Sequence, residues 1–264
     1  GFPVGAGVYG SGWDGSVRAT AAGLNVPTGL SLWELSTRGD VNVKADGDYN
    51  KRTATPDGTP TAEATYVAVS TRSWQDRAEW ARGKCQEGRW ADVKALGVDD
   101  LDAWLQDAPV THAWLSEKLG FQPHGLTTTQ AWWERFAHAT APELPPAFVL
   151  AGRQTLVGAL RAELARPGKL ITISGASEQD VLAFVAGMAV VSVRDDSGAL
   201  LARAVYVDRV EAYRRWQHLK HPLLLVASSR EVAQESSPGA AHHMIVPVVR
   251  GQADFDLPPI DAQV

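Results

Sequence analysis

Short apolar runs rich in β-branched residues alternate with helical segments along the chain, and this alternation constrains the fold more than any other feature. In the first part, the strand-like runs GSVRATA and VPTGLSLWELST precede TYVAVST, residues 65 to 71. In the second part, KLITISG and HPLLLVASS flank the helical run SEQDVLAFVAGMAV. Strands separated by crossover helices are typical of parallel βαβ units. The sequence therefore predicts an α/β fold, with a mixed sheet flanked by helices in the first part.

The distribution of tryptophan and proline divides the chain into two domains. Nine of the ten tryptophans lie at or before Trp133, and only Trp216 follows. The segment TAPELPP, residues 140 to 146, is rich in proline, which disfavours a helix and favours an extended connector. We expect a first domain over 1–123, a helical linker over 124–147 and a second, smaller α/β domain over 148–264. The absence of an initiator Met and of a closing element predicts an excerpt of a longer protein.

Composition narrows the class of protein. The apolar fraction of 45% and the charged fraction of 21% are those of a globular chain. The single cysteine, Cys85, cannot form an internal disulfide, and no Cys/His spacing predicts a zinc site, which favours a cytoplasmic setting. No apolar run approaches the roughly eighteen residues of a membrane span, so we expect no membrane partner. The net charge of −5 argues against a module that coats nucleic acid, but it is compatible with a nuclease.

Three motifs have simpler interpretations than ligand binding. GAGVYG, residues 5 to 10, matches the dinucleotide pattern G-x-G-x-x-G, but no strand precedes it, which favours a flexible glycine loop. LITISG is followed by ASEQD and lacks the Gly-Lys-Ser/Thr end of a phosphate-binding P-loop. His242 and His243 are adjacent in sequence, so their side chains diverge and cannot form a simple chelating pair. We interpret both histidines as surface or edge residues and predict no cofactor besides a metal ion.

Two carboxylates are expected to meet at one edge of the first sheet. Asp14 stands in GWDG just before a strand, and Glu34 lies on the partner strand of the predicted hairpin. Neighbouring carboxylates repel each other unless a cation lies between them, and Mg²⁺ in phosphate chemistry is usually held by one or two carboxylates. Ser36 faces the same way as Glu34, because side chains alternate along a strand. This edge is a candidate metal site.

Basic residues that follow the second strand have two interpretations. Lys44, Asp48 and Lys51 fall at i, i+4 and i+7, which is one face of a helix, and a lysine on that face could reach the metal. Alternatively, Glu34 is exposed and these residues form a solvated face with Arg52 and a weak ion pair. Spacing alone leaves both open. Six tryptophans are interpreted as core residues rather than base-stacking platforms, because they lie within periodic apolar patterns: Trp13, Trp33, Trp74, Trp80, Trp90 and Trp104.

The segments GWDG, VPTGLSLWELST, KADGDYNKRT, YVAVSTRSW, WADVKAL and DDLDAWLQ follow the order of the restriction-endonuclease-like, or PD-(D/E)XK, superfamily. The chain resembles the Mrr-like branch over residues 10 to about 106. The resemblance matches Asp14 to the first metal-binding acid and Glu34 to the second. Where the family has E-x-K, this chain has Ser36 in place of the lysine, so the resemblance implies that Lys44 or Lys51 of the neighbouring helix fills that role.

This resemblance implies a metal-dependent DNA endonuclease. Mg²⁺ or Mn²⁺ would be held by Asp14, Glu34 and the carbonyl of Leu35. Tyr49 and Arg52 would contact phosphate oxygens, with Ser36 also on the substrate side. The competing hypothesis is a catalytically inactive module that binds nucleic acid or a partner protein and relays a signal.

The organisation of the chain is similar to that of bacterial antiviral defence proteins. In these proteins a nuclease effector is fused to a STAND-type or related NTPase sensor, and here AGR at 151–153, a helix and a P-loop-like segment follow the nuclease-like part. The resemblance implies a longer chain with a further C-terminal sensor region. Because nucleases of this kind cut both strands as dimers, it also implies a homo-oligomer, although no residue pattern marks a dimer face.

Overall fold

The computed structural model describes residues 12–23, 25–121, 125–192, 199–219, 222–235, 241–251 and 260–261. The chain forms two compact units, Gly1–Asp107 and Ala108–Val264. The glycine motif at residues 5 to 10 lies outside the described residues. None of the helices in the described ranges is long and apolar enough to cross a membrane.

The first unit is a four-stranded mixed sheet with helices on both faces. Its sheet order is the chain order of its strands; the first pair is antiparallel and the other two pairs are parallel. This confirms the predicted α/β fold with a mixed sheet flanked by helices. The elements are β1 Gly15–Ala19, β2 Gly29–Ser36, α1 Val41–Ala54, β3 Ala64–Ser70, α2 Arg77–Gln86, β4 Asp92–Leu96 and α3 Val98–Gln106.

The two faces of this sheet have separate apolar cores. All seven residues of β3 are buried, as expected for a strand covered on both faces. On one face, Leu32 and Tyr66 pack with the buried Tyr49 of α1. On the other face, Trp33 packs with Trp104 of α3, and their rings stack with centroids 6.3 Å apart. The six tryptophans predicted to be core residues are buried or partly buried in these two clusters, which confirms that prediction.

The second unit is a six-stranded sheet in the order β10 (Ile260–Asp261), β6 (Leu170–Gly175), β9 (His243–Val249), β8 (Leu224–Ala227), β7 (Ala204–Val207) and β5 (Leu126–Thr128). All pairs are parallel except β5 with β7, which confirms the predicted βαβ character. Its elements are α4 Pro109–Lys118, β5 Leu126–Thr128, α5 Thr129–Ala137, α6 Pro146–Leu150, α7 Gln154–Leu164, β6 Leu170–Gly175, α8 Glu178–Ser192, α9 Ala199–Arg203, β7 Ala204–Val207, α10 Val210–Trp216, β8 Leu224–Ala227, α11 Arg230–Glu235, β9 His243–Val249 and β10 Ile260–Asp261.

The division between the units lies earlier than the sequence predicts. The expected boundary at residues 123–124 and the expected linker 124–147 are corrected, because β5 is hydrogen-bonded to β7 and belongs to the second sheet. Thr129 at the start of α5 donates a buried hydrogen bond to the carbonyl of Ala204, which ties α5 to the same sheet. The second unit therefore begins at Ala108 and is the longer of the two, not the smaller.

Candidate functional site

The β1–β2 hairpin brings Asp14 and Glu34 to the same edge of the first sheet. Gly15 lies opposite Trp33 in the antiparallel register, so the preceding Asp14 lies across from Glu34. Gly29 begins β2 with a φ of 84°, a backbone conformation that glycine adopts without strain. The predicted meeting of the two carboxylates follows from this register.

The backbone of Leu35 completes this edge. The Leu35 N–H donates a hydrogen bond to Oδ2 of Asp14 at 2.7 Å. Within a strand, the N–H and C=O of one residue point to the same edge, so the Leu35 carbonyl also faces the Asp14 side. The three predicted metal ligands, two carboxylates and one carbonyl, are therefore neighbours.

Glu34 is buried, with only 7% of its surface exposed. Its Oε1 accepts a hydrogen bond from Nε of Arg52. Burial raises the pKa of the Glu34 carboxyl from 4.5 to about 7; Arg52 opposes this change, and the negative charges of Asp14 and Asp48 add to it. A buried carboxylate with two further acids nearby is stabilised when it binds either a proton or a cation.

Arg52 is held inside the first unit and does not face a substrate. Besides Glu34, its guanidinium donates to the carbonyl of Gly12 and lies 3.5 Å from Oδ2 of Asp57. Its Cζ also lies 4.8 Å from the ring centroid of Trp13, a cation–π contact. The predicted phosphate contact by Arg52 is corrected, because its guanidinium group already contacts these groups inside the first unit. Arg52 is reassigned as the partner of Glu34.

The structure separates the two candidate lysines. Lys44 forms an ion pair with Asp48, which lines a small pocket together with Glu34. Lys51 is exposed, because α1 turns Arg52 and the rest of its buried face toward the sheet. Lys44 therefore contacts Asp48, a residue that lines the pocket, whereas Lys51 lies on the exposed side of α1.

Tyr49 is also reassigned. Its side chain is completely buried, and its hydroxyl donates to the backbone carbonyl of Lys84 at 3.3 Å. Its ring lies edge-on to Tyr66, with centroids 5.3 Å apart. This position does not suit the predicted contact with phosphate, so Tyr49 is a core residue of the first unit.

Several residues that sequence reasoning missed line the pocket beside Glu34. The pocket has a volume of about 10 Å³, and its polar lining residues are Glu34, Ser36, Asp48, Tyr66 and Ser70. Ser36 and Ser70 are register partners at the ends of β2 and β3, and the predicted common orientation of Glu34 and Ser36 is observed. The alternation of Tyr66, Ala68 and Ser70 on β3 was the available signal, since these residues share one face.

The donor set at the Asp14 edge fits a hard divalent cation. Within the described ranges, no group of three or more His, Cys, Asp or Glu side chains is arranged to hold a metal ion. Two carboxylates and one carbonyl are nevertheless oxygen ligands, and Mg²⁺ is commonly bound by one or two carboxylates with water completing its shell. Asp14, Glu34 and Leu35 thus have suitable chemistry for Mg²⁺ or Mn²⁺.

The second unit has an internal carboxylate where a P-loop would bind phosphate. Beyond Gly175 at the end of β6, Asp180 accepts the N–H of Ala176 at 3.4 Å and pairs with Arg153 at 2.8 Å. A side-chain carboxylate of α8 therefore lies at the backbone groups that a phosphate would use.

The two adjacent histidines are not surface residues. His242 and His243 are 3% and 2% exposed, and β9 lies between β6 and β8 in the sheet. Nδ1 of His242 accepts the N–H of Leu223 at 3.1 Å, and Nε2 of His243 lies 3.2 Å from the carbonyl of Arg166. Burial lowers the pKa of both imidazoles. The expectation of surface or edge positions is corrected, because the sheet extends beyond β9 on both sides.

No protein-family model matches the chain, and no curated protein matches its sequence. The resemblance to PD-(D/E)XK nucleases therefore stays a prediction that rests on the residues of the first unit.

Proposed function

We propose that the first unit is a metal-dependent DNA endonuclease domain and the effector part of a larger bacterial defence protein. The observation that carries the proposal is the β1–β2 register, which places Asp14 across from Glu34 beside the backbone of Leu35. Phosphodiester hydrolysis requires stabilisation of the negative charge that develops at the phosphate, and neighbouring carboxylates that bind a divalent cation are one way to supply it.

Each residue at this edge has a defined role in the proposed reaction. Asp14, Glu34 and the Leu35 carbonyl hold the ion, which when bound supplies Lewis-acid polarisation and a lower pKa for water. Lys44 stabilises negative charge that develops on the phosphate. Asp48 orients Lys44 through their ion pair, so the lysine missing at Ser36 is replaced from α1.

Arg72 takes the place of Tyr49 and Arg52 as the proposed phosphate contact. It lies just beyond β3 and is exposed, and its Nε donates to the carbonyl of Thr37 beyond β2 at 2.9 Å. Its described partner is a backbone carbonyl rather than a carboxylate, so its positive charge is not neutralised there. Because β2 and β3 are parallel, Arg72 lies at the carboxyl ends of both strands, where α/β sheets bind ligands.

Cleavage of supercoiled plasmid DNA by the whole chain, with Mg²⁺ or Mn²⁺ and with EDTA, tests the proposal. Asp14→Asn and Glu34→Gln are expected to lower the rate at least about 100-fold, because each removes a charge that holds the ion. Lys44→Met is expected to lower it by a similar factor, whereas Lys51→Met keeps wild-type activity. Cleavage that survives Asp14→Asn, or that is lost equally in the Lys51 variant, contradicts the assignment of these residues.

A second candidate function is a catalytically inactive module that binds nucleic acid or a partner. One observation favours it: Glu34 and Asp48 each already have a cationic partner within the first unit, Arg52 and Lys44. Fluorescence anisotropy with labelled duplex DNA distinguishes the two functions. Wild-type protein that binds DNA but never cleaves it in Mg²⁺ or Mn²⁺ supports the inactive module, and Arg72→Gln would then weaken binding.

A further inference from the structure

We propose that the pocket between β2, β3 and α1 is a binding site for one buried water molecule, held by Tyr66, Glu34 and Asp48. The pocket has a volume of about 10 Å³, which is about the space that one water molecule requires. A buried water also needs two to four polar partners, and five of the residues that line this pocket carry side-chain oxygen atoms.

Tyr66 provides the strongest reason for an occupant. Its side chain is fully buried, and its hydroxyl has no hydrogen-bond partner among the described residues. Rings of Trp13, Tyr49 and Trp90 surround it, with centroids 5.3 to 6.0 Å away, so the phenol cannot turn toward solvent. Since a buried hydroxyl without a partner is costly, the partner must lie within the pocket.

The other lining groups complement a water molecule. The Ser36 hydroxyl accepts the N–H of Arg38 at 3.1 Å, and the Ser70 hydroxyl accepts the N–H of Arg72 at 3.1 Å. Each serine therefore keeps its O–H for donation. Carboxylate oxygens of the pocket can accept both protons of a water, and the hydroxyls can donate to its lone pairs.

Charge balance favours water over a cation in this pocket. Glu34 is already paired with Arg52, and Asp48 is already paired with Lys44. A cation placed between the two acids would face two positive side chains, whereas a neutral molecule leaves both ion pairs intact. The water site therefore differs from the proposed metal position, which lies at the Asp14 edge.

The water makes Tyr66 a positioning residue for Glu34, and this step rests on the proposed function. Through the water, the rigid phenol fixes the Glu34 carboxylate at the edge that faces Asp14. Removing the hydroxyl leaves Glu34 held by Arg52 alone and free to rotate into the emptied space. Binding of a divalent cation at the edge is then weakened.

A crystal structure of the whole chain, grown without divalent cations, tests the water directly. We expect one density peak within hydrogen-bond distance of the Tyr66 hydroxyl in the wild type and none in Tyr66→Phe. An empty wild-type pocket overturns the proposal. Anomalous scattering after soaks in Mn²⁺ or Rb⁺ tests the other occupant, and an anomalous peak inside the pocket also overturns it.

Thermal unfolding of Tyr66→Phe gives a second test, because the unfolding midpoint is expected to change in opposite directions with and without the water. If a water satisfies the hydroxyl, Tyr66→Phe lowers the unfolding midpoint of the first unit, whereas loss of an unsatisfied hydroxyl raises it. An unchanged or raised midpoint contradicts the water. Tyr49→Phe is the matched control for the size of the change, because it removes a buried hydroxyl with a described partner, the Lys84 carbonyl.

Mn²⁺ binding, measured by electron paramagnetic resonance, separates the water from the proposed function. We expect Tyr66→Phe to weaken Mn²⁺ binding about tenfold and Tyr49→Phe to leave it unchanged. Equal affinities for wild type and Tyr66→Phe contradict the positioning role. A wild-type chain that binds no Mn²⁺ contradicts the metal-dependent function, and the density at Tyr66 still decides the water.

Discussion

Replacing Glu34 by glutamine is expected to stabilise the first unit at pH 8. Burial raises the pKa of this carboxyl from 4.5 to about 7, so the folded state binds its proton more tightly than the unfolded state. The difference corresponds to about 3 kcal/mol, because each pKa unit is worth about 1.4 kcal/mol. Stability is therefore lost as the pH rises from 4.5 to about 7, and the full cost is present at pH 8.

Glutamine removes this cost while it keeps the shape of the site. Its amide oxygen can still accept the hydrogen bond from Nε of Arg52. We expect Glu34→Gln to raise the free energy of unfolding by about 3 kcal/mol at pH 8 and by less than about 1 kcal/mol at pH 5. A loss of stability caused by Glu34 in the wild type is consistent with a ligand-binding role, since replacing a functional residue often makes a protein more stable.

Urea unfolding at both pH values measures the effect. Tryptophan fluorescence reports mainly on the first unit, which contains six of the ten tryptophans. Glu79→Gln is the matched control, because Glu79 is exposed on α2 and its replacement is expected to change stability by less than about 0.5 kcal/mol at either pH. A Glu34→Gln variant that is no more stable than wild type at pH 8, or equally stabilised at pH 5, would refute the argument from burial.

Three further predictions concern stability. Arg52→Met is expected to cost about 3 kcal/mol at pH 8, because the buried carboxylate loses its cation; exposed Lys51→Met should cost less than about 0.5 kcal/mol in the same urea assay, and equal losses would contradict this. Gly168→Ala should destabilise the second unit by about 1–3 kcal/mol, because a Cβ there would overlap backbone atoms of His242. Gly158→Ala, which adds a Cβ in open space on α7, should stabilise the same unit by about 0.5–1 kcal/mol. Calorimetry of the two variants tests whether the changes in stability have these opposite signs. Because burial lowers the pKa of His243, the second unit should lose stability as the pH falls below 6.5. His243→Gln should reduce this pH dependence of the unfolding midpoint in thermal melts, and an unchanged dependence would contradict the assignment to this imidazole.

The sequence was sufficient for the order of elements in the first unit. Apolar alternation predicted the strands that became β2 and β3, and the succession of two strand-like runs predicted the antiparallel hairpin. Because the two strands are neighbours in sequence, their antiparallel pairing was predictable, and with it the meeting of Asp14 and Glu34 at one edge. These features depend on interactions among residues that are close in sequence.

The division into units could not be predicted in the same way. The proline-rich segment indicated a connector, but the chain before it already belongs to the second unit. The three residues of β5, Leu126–Thr128, are too few to show a period and are defined by pairing with β7, far along the chain. A strand of this length is specified by its partner, and only the tertiary structure identifies that partner.

The partners of the charged side chains were also decided by the tertiary structure. Helical spacing predicted that Lys44 and Asp48 share a face of α1, but it does not state which face meets the sheet. Burial of the Tyr49 ring against Tyr66 sets the rotation of the helix, and this rotation turns Arg52 inward to Glu34. Sequence alone therefore determined the strands that carry the acids, whereas packing of an aromatic ring determined which cation reaches them.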